Sequence, residues 1–167
     1  FYSAGFFATY WVNEVKISPD LISSISKATD ITVDSSSAVY VAGFYSDGSA
    51  KASYWVDNDT GLTRLHEKST SESRGIDLDG GNVHTAGYFD DGGTDTAAYW
   101  TGTTKTDLEE GKGNDIDVID GTVYVAGYYW DGSKTIAMVW ENGTRTTLFD
   151  SGIAGVNAEA LSVMAVK

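Results

Sequence analysis

"VYVAGYYWDG", residues 123–132, is a run of β-branched and aromatic residues that ends in an Asp-Gly turn signal. Nearly the same phrase stands at 39–48, "VYVAGFYSDG", and at 83–92, "VHTAGYFDDG", while "FYSAGFF" occupies 1–7. A phrase repeated at a near-fixed period describes an architecture before it describes a site.

Four landmarks recur in the same order. Ala-Gly ends an apolar stretch at Ala4-Gly5, Ala42-Gly43, Ala86-Gly87 and Ala126-Gly127. A tryptophan follows an alanine placed three residues earlier: Ala8 and Trp11, Ala52 and Trp55, Ala97 and Trp100, Ala137 and Trp140. After each tryptophan comes a leucine, namely Leu21, Leu65, Leu108 and Leu148. Last is an apolar pair two apart: Ile31 and Val33, Ile76 and Leu78, Ile116 and Val118, Leu161 and Val163. The tryptophans lie 40 to 45 residues apart.

Each repeat resolves into four short strands. "DIDVID" (115–120) alternates and runs into Gly121, "VYVAGYY" follows, "TIAMVW" comes after the Asp131-Gly132 turn, and an Asn-Gly turn leads to "TRTTLF". Helix signals are nearly absent. The best candidate, "LISSISKA" (21–28), is serine-rich and β-branched and suits a loop better. The expectation is an all-β fold, a β-propeller of four four-stranded antiparallel blades in one domain, 1–167. The blades would span 160–167 plus 1–21, 29–66, 74–109 and 114–149. In the first, the termini share one blade, because "ALSVMAVK" joined to "FYSAG" aligns without a gap on "DIDVIDGTVYVAG". Closure within one chain is expected. The same pairing could instead add the C-terminal strand to a neighbouring copy, or belong to a longer parent chain.

Composition narrows the function. Eleven Lys and Arg against 24 Asp and Glu give a net charge of −13, which disfavours nucleic acid and anionic membrane surfaces as partners. No apolar run approaches the roughly 18 residues of a membrane span, so no membrane insertion is expected. There is no cysteine, hence no disulfide and no thiolate site. Phe1 in place of Met suggests a processed or partial polypeptide.

The "YVAG…AxYW" phrases resemble those of bacterial β-propeller repeat proteins, many of them exported, and the likeness runs over essentially the whole chain. It implies a propeller fold and an extracellular or cell-surface location. It says little about function, because propellers serve as enzymes, lectins and scaffolds alike.

No catalytic residue is selected: His66 and His84 lie in no triad or metal motif, and His84 aligns with Tyr40 and Tyr124 as a packing residue. "DNDTG" (57–61) and "DDGGTD" (90–95) carry oxygens that would suit Ca2+, though turns need the same residues. No metal ligand set and no cofactor are therefore assigned. Thr32, Asp77, Asp117 and Ser162 align in the first strands and form a candidate polar ring around a channel. Trp130, Tyr129, Tyr45 and Phe89 are candidates for stacking on sugar rings. Trp130 leads them because it has no aromatic counterpart in the other repeats. Asn58 and Asn142 head N-glycosylation patterns. The expected role is a non-catalytic structural or binding module, with a glycan or protein partner and self-association through terminal strands. A carbohydrate-binding propeller and a hydrolase or lyase using carboxylates or calcium are the alternatives.

Overall fold

A computed structural model describes residues 8–18, 25–56, 61–67, 69–90 and 92–166. The described fold is all-β. Strands β1 (Tyr10–Val12) and β2 (Val15–Ile17) form a hairpin, the described part of a first unit. The second unit is a four-stranded antiparallel sheet of β3 (Ile25–Val33), β4 (Val39–Ser46), β5 (Ala50–Val56) and β6 (Leu62–Arg64). A seven-stranded sheet follows: β7 (Ser71–Asp79), β8 (Asn82–Asp90), β9 (Asp95–Thr101), β10 (Thr104–Ile119), β11 (Thr122–Trp130), β12 (Thr135–Glu141) and β13 (Thr144–Phe149). It is two four-stranded units fused by one long strand. β10 pairs with β9 through residues 104–110 and with β11 through residues 111–119. The sheets are open rather than closed. No described helix is long and apolar enough to cross a membrane.

Tight turns set the registers. Asp120-Gly121 and Asn142-Gly143 both take positive φ at their two central residues, the geometry whose twist matches flanking strands. The first strand of each full unit carries one extra residue, a β-bulge, at Thr29, Arg74 and Asn114. The unit boundaries expected at 29, 74 and 114 fall on these bulges, and the strands begin earlier. Ile25–Ala28, expected as loop, is therefore strand, because it continues past the bulge to pair with Gly43–Ser46.

The bulge explains the Ala-Gly phrase. Gly43, Gly87 and Gly127 each face the strand at its bulge, where a Cβ would stand 1.8, 1.9 and 2.0 Å from the carbonyl oxygens of Lys27, Glu72 and Lys112. Only a residue without a side chain lets the distorted strand close on its neighbour.

The Ala-Trp landmark explains how units join. The two residues are three apart in a strand, so they point to opposite faces. Trp55 shares a buried cluster with Ala8 and Tyr10 of the first unit. Trp100 shares one with Ala52 and Leu65 of the second, and Trp140 with Ala86, Ala97 and Leu108 of the third. Each of these alanines is thus a shallow seat for the next unit's indole, and a leucine packs beside two of the seats, Leu65 with Ala52 and Leu108 with Ala97. The three indoles are at most 1% exposed, yet their Nε1–H groups have no hydrogen-bond partner. Leaving that bond unmade costs about 1–3 kcal/mol. Burying a ring of ~150–250 Å² gains ~4–6 kcal/mol, so packing wins.

The segment 160–166, expected as a first strand beside residues of the N-terminus, enters no sheet ladder. It lies beside β10 instead, with Val163 N–H donating to Asp115 Oδ2 at 2.9 Å, and Ala160 N–H donates to Gly127 O of β11 at 3.0 Å. Residues 1–7, its expected partners, and Leu21 fall outside the described residues.

Gly87→Ala should destabilise the fold by about 3 kcal/mol, the upper end of overpacking costs, because the contact is with backbone and cannot be relieved by a rotamer change. Urea unfolding checks this; a loss below 1 kcal/mol would show that the bulge does not need the glycine.

Candidate functional site

Two features stand out: a row of carboxylates where first strands meet, and a cleft between the third and fourth units.

The first strands of neighbouring units do not share a backbone ladder. Aspartates bridge them. Ile76 N–H donates to Asp30 Oδ2 at 2.9 Å, Val118 N–H to Asp77 Oδ2 at 2.7 Å, and Gly121 N–H to Asp79 Oδ2 at 2.9 Å. The C-terminal segment continues the pattern: Val163 N–H and Ser162 Oγ donate to Asp115 Oδ2 at 2.9 and 2.7 Å, and Ala165 N–H donates to Asp117 Oδ2. The bulge residues make a parallel row. Thr29 Oγ1 donates to Ser73 O at 2.7 Å, Arg74 Nη1 to Asn114 Oδ1 at 2.8 Å, and Asn114 Nδ2 to Ala160 O at 2.9 Å. The C-terminal segment therefore lies where a fifth unit's first strand would lie.

Of the four expected channel residues, Asp77 and Asp117 are neighbours in this row. Ser162 contacts Asp115 rather than Asp117, and Thr32 is half-buried on β3. Asp30 and Asp115 align with Gly75 in the third unit, which hides their pattern, and Asp79 aligns with Asp34 and Ile119, so no ring of like residues marks it either. Gly75 is itself required: a Cβ there would lie 2.8 Å from Asp115 Cα. Burial holds the Asp77 carboxyl above its ordinary value despite two backbone N–H donors, and Asp117 beside it adds to the rise. Burial raises Asp30 likewise, against bonds from Ile76 and Ile31, with the Asp115 charge adding to the rise.

The cleft, of about 470 Å³, is lined by Thr94, Asp95, Glu110, Tyr128, Trp130 and Thr135, among others. A second hollow of about 330 Å³ shares Tyr128 and Thr135 and is lined by Asn157 and Glu159. The walls of the cleft come from the β8–β9 turn, the middle of β10 and the ends of β11 and β12, and the C-terminal segment walls the second hollow. Asp90 holds the β8–β9 turn by accepting the N–H groups of Gly92 and Gly93, which also lowers its pKa. Asn157 Oδ1 accepts Thr135 N–H at 2.9 Å and fixes the C-terminal wall. Lys112 Nζ lies 2.9 Å from Asp95 and 3.8 Å from the Tyr88 ring centroid, so the acid is oriented by a cation that is itself seated. Burial raises the Tyr128 hydroxyl above its ordinary value, with Asp95 adding to it.

Among the four aromatic candidates only Trp130 lines this cleft, half-buried. Tyr45, Phe89 and Tyr129 occupy one equivalent position in three units, each under a cation from its fourth strand. Arg64 stands 5.0 Å from the Tyr45 centroid, Lys105 3.2 Å from Phe89, and Arg145 5.1 Å from Tyr129. Their acid partners are Glu67, Asp107 and Glu109. Tyr45 also donates to Glu67 Oε2 at 3.0 Å, and burial pushes its pKa up to about 12. The signal for these caps was present, a basic residue shortly after each of three tryptophans. Tyr128 was missed because it reads as another strand aromatic; its place at a seam has no sequence mark.

His84 is buried against Thr101 Oγ1, 3.1 Å from Nδ1, and burial lowers its pKa. His66 is buried, with its ring 5.0 Å from that of Phe89. Asn142 sits in its turn with Oδ1 accepting Val123 N–H at 3.0 Å, while Asn58 lies outside the described residues. Among the described residues no three His, Asp or Glu side chains gather as a metal site.

The aspartate row predicts a pH signature. Asp77 titrates above its ordinary 3.8 in the folded state, so its protonation favours folding. That contribution is complete below the unfolded value and is lost as pH rises through the raised one. Asp77→Asn keeps an acceptor for Val118 and removes the charge. Its melting temperature should exceed that of the native protein at pH 7, and the gap should close as pH falls towards 3. A less stable variant at pH 7 would contradict the assignment.

No protein-family model and no curated protein matches the chain, so its likeness to the propeller repeat proteins rests on the quoted motifs alone.

Proposed function

We propose that the chain is a propeller-type module of four blades, outside the cell, with a non-catalytic binding role, and that its ligand is a neutral oligosaccharide held beside Trp130. The three full units and the N-terminal hairpin are the blades. Seating of Trp55, Trp100 and Trp140 on the preceding units supports this, as does the aspartate row where first strands meet. The quoted likeness to exported repeat proteins is what supports the location.

The observation that carries the ligand reading is the placing of Trp130 and Tyr128 in one cleft with the hydroxyls of Thr94 and Thr135 and the carboxylates of Asp95 and Glu110. An aromatic face packs on the C–H face of a pyranose, and carboxylates and hydroxyls accept and donate to its hydroxyl groups. The acidic walls, on a chain of net charge −13, disfavour anionic sugars. A non-catalytic role is supported by where the perturbed carboxylates lie. Asp30 and Asp77 have raised pKa values but accept backbone N–H groups at the seams, away from the cleft.

A glycan array followed by calorimetric titration of the best neutral oligosaccharide tests this. Trp130→Ala should weaken binding about tenfold or more, roughly 1.4 kcal/mol, Trp130→Phe should recover part of it, and Val15→Ala should bind as the native protein does. Silence across neutral glycans, or equal binding by Trp130→Ala, would overturn the proposal.

A further inference from the structure

The cleft beside Trp130 does not end at Tyr128. Tyr128 and Thr135 line both the cleft and the second hollow, so the two spaces, of about 470 and 330 Å³, meet across these residues. Each falls within the roughly 300–1,000 Å³ of ordinary small-molecule sites. Trp130 and Tyr128 are two apart on β11, so their side chains leave the same face, about 7 Å from each other along the strand. A sugar ring stacked on Trp130 therefore leaves the second hollow to the next ring.

The far wall of that hollow is tied to the strands of the cleft. Thr135 N–H donates to Asn157 Oδ1 at 2.9 Å, Ala158 N–H to Thr135 O at 3.0 Å, and Ala160 N–H to Gly127 O at 3.0 Å. Asn114 Nδ2 adds a bond to Ala160 O at 2.9 Å. Glu159 sits between the ties at Ala158 and Ala160, exposed, and lines the hollow. A wall ordered before the ligand arrives lowers the cost of binding. The Tyr128 hydroxyl is raised by burial, and the charges of Asp95 on the cleft side and Glu159 on the hollow side add to the rise against that of Arg74. It stays a neutral donor for a ligand that crosses from one space to the other.

We infer that the two spaces are adjacent subsites of one groove, and that the ligand is an oligosaccharide with one ring stacked on Trp130 and another held in the second hollow by Asn157 and Glu159. The Asn157 amide nitrogen donates to sugar hydroxyls and the Glu159 carboxylate accepts from them. This inference rests on the oligosaccharide reading and adds to it the length of the ligand and the direction in which it extends.

Calorimetric titration with homo-oligomers of one to five rings tests it, in series of glucose, N-acetylglucosamine, galactose, mannose and xylose. In a series that binds, the native protein should hold the tetramer at least about tenfold more tightly than the single ring. Glu159→Ala removes an exposed acceptor, and Ala158→Phe fills the hollow from a half-buried position. Each should cut that ratio to about threefold or less, with circular dichroism like that of the native protein, whereas Trp130→Ala should weaken every length. A native protein that binds single rings as tightly as tetramers would overturn the second subsite and leave the Trp130 site standing. So would a native ratio in Glu159→Ala, the variant that keeps the test open should Ala158→Phe not fold. If no series binds, the oligosaccharide reading falls and this inference with it.

Discussion

Everything in this molecule hangs on an indole being seated on an alanine of the unit before it. A single four-stranded unit of this kind has two apolar faces and covers neither by itself. The alanine three residues before each repeated tryptophan leaves room on one face while the indole projects from the other, so that similar units stack. The gain from burying each ring exceeds the loss of its unpaired N–H, which explains why Nε1 is left without a partner at all three seams. Stability then becomes a sum over neighbours, as in other repeat proteins.

That stacking forces the first strands close together, and their edges must be satisfied without a ladder. Aspartates and bulge residues do this, reaching from one unit to backbone groups of the next. The cost is visible in the raised pKa values of Asp30 and Asp77. At the seam between the third and fourth units, the β8–β9 turn, β10 and the β11 end leave the cleft that holds Trp130 and Tyr128. The candidate site is therefore a by-product of the stack, decorated where one repeat departs from the common phrase.

Much of the fold was legible because it is written several times. Strand order within units, the turn at Asn142-Gly143 and the need for a glycine after Ala42, Ala86 and Ala126 all follow from comparing phrases. The bulges were not legible, since an extra residue in a strand leaves no period to read; Thr29, Arg74 and Asn114 share no chemistry. Nor was the fusion of two units through β10, where Glu110–Gly113 reads as a connection. Trp130 was singled out as the aromatic without counterparts, and it does line the cleft. Tyr45, Phe89 and Tyr129 were grouped with it by residue type, but each lies beneath a cation from its own unit.

The most direct test of seam-by-seam stability is native-state amide exchange on Trp140→Ala. Removing that ring should cost about 3–5 kcal/mol at one seam. Amides of β11 and β12 should lose protection by a factor matching that energy, while those of β4 and β5, two units away, keep theirs. Equal loss of protection in all four strands would contradict the account, since it would mean one indivisible core in place of a stack of neighbours.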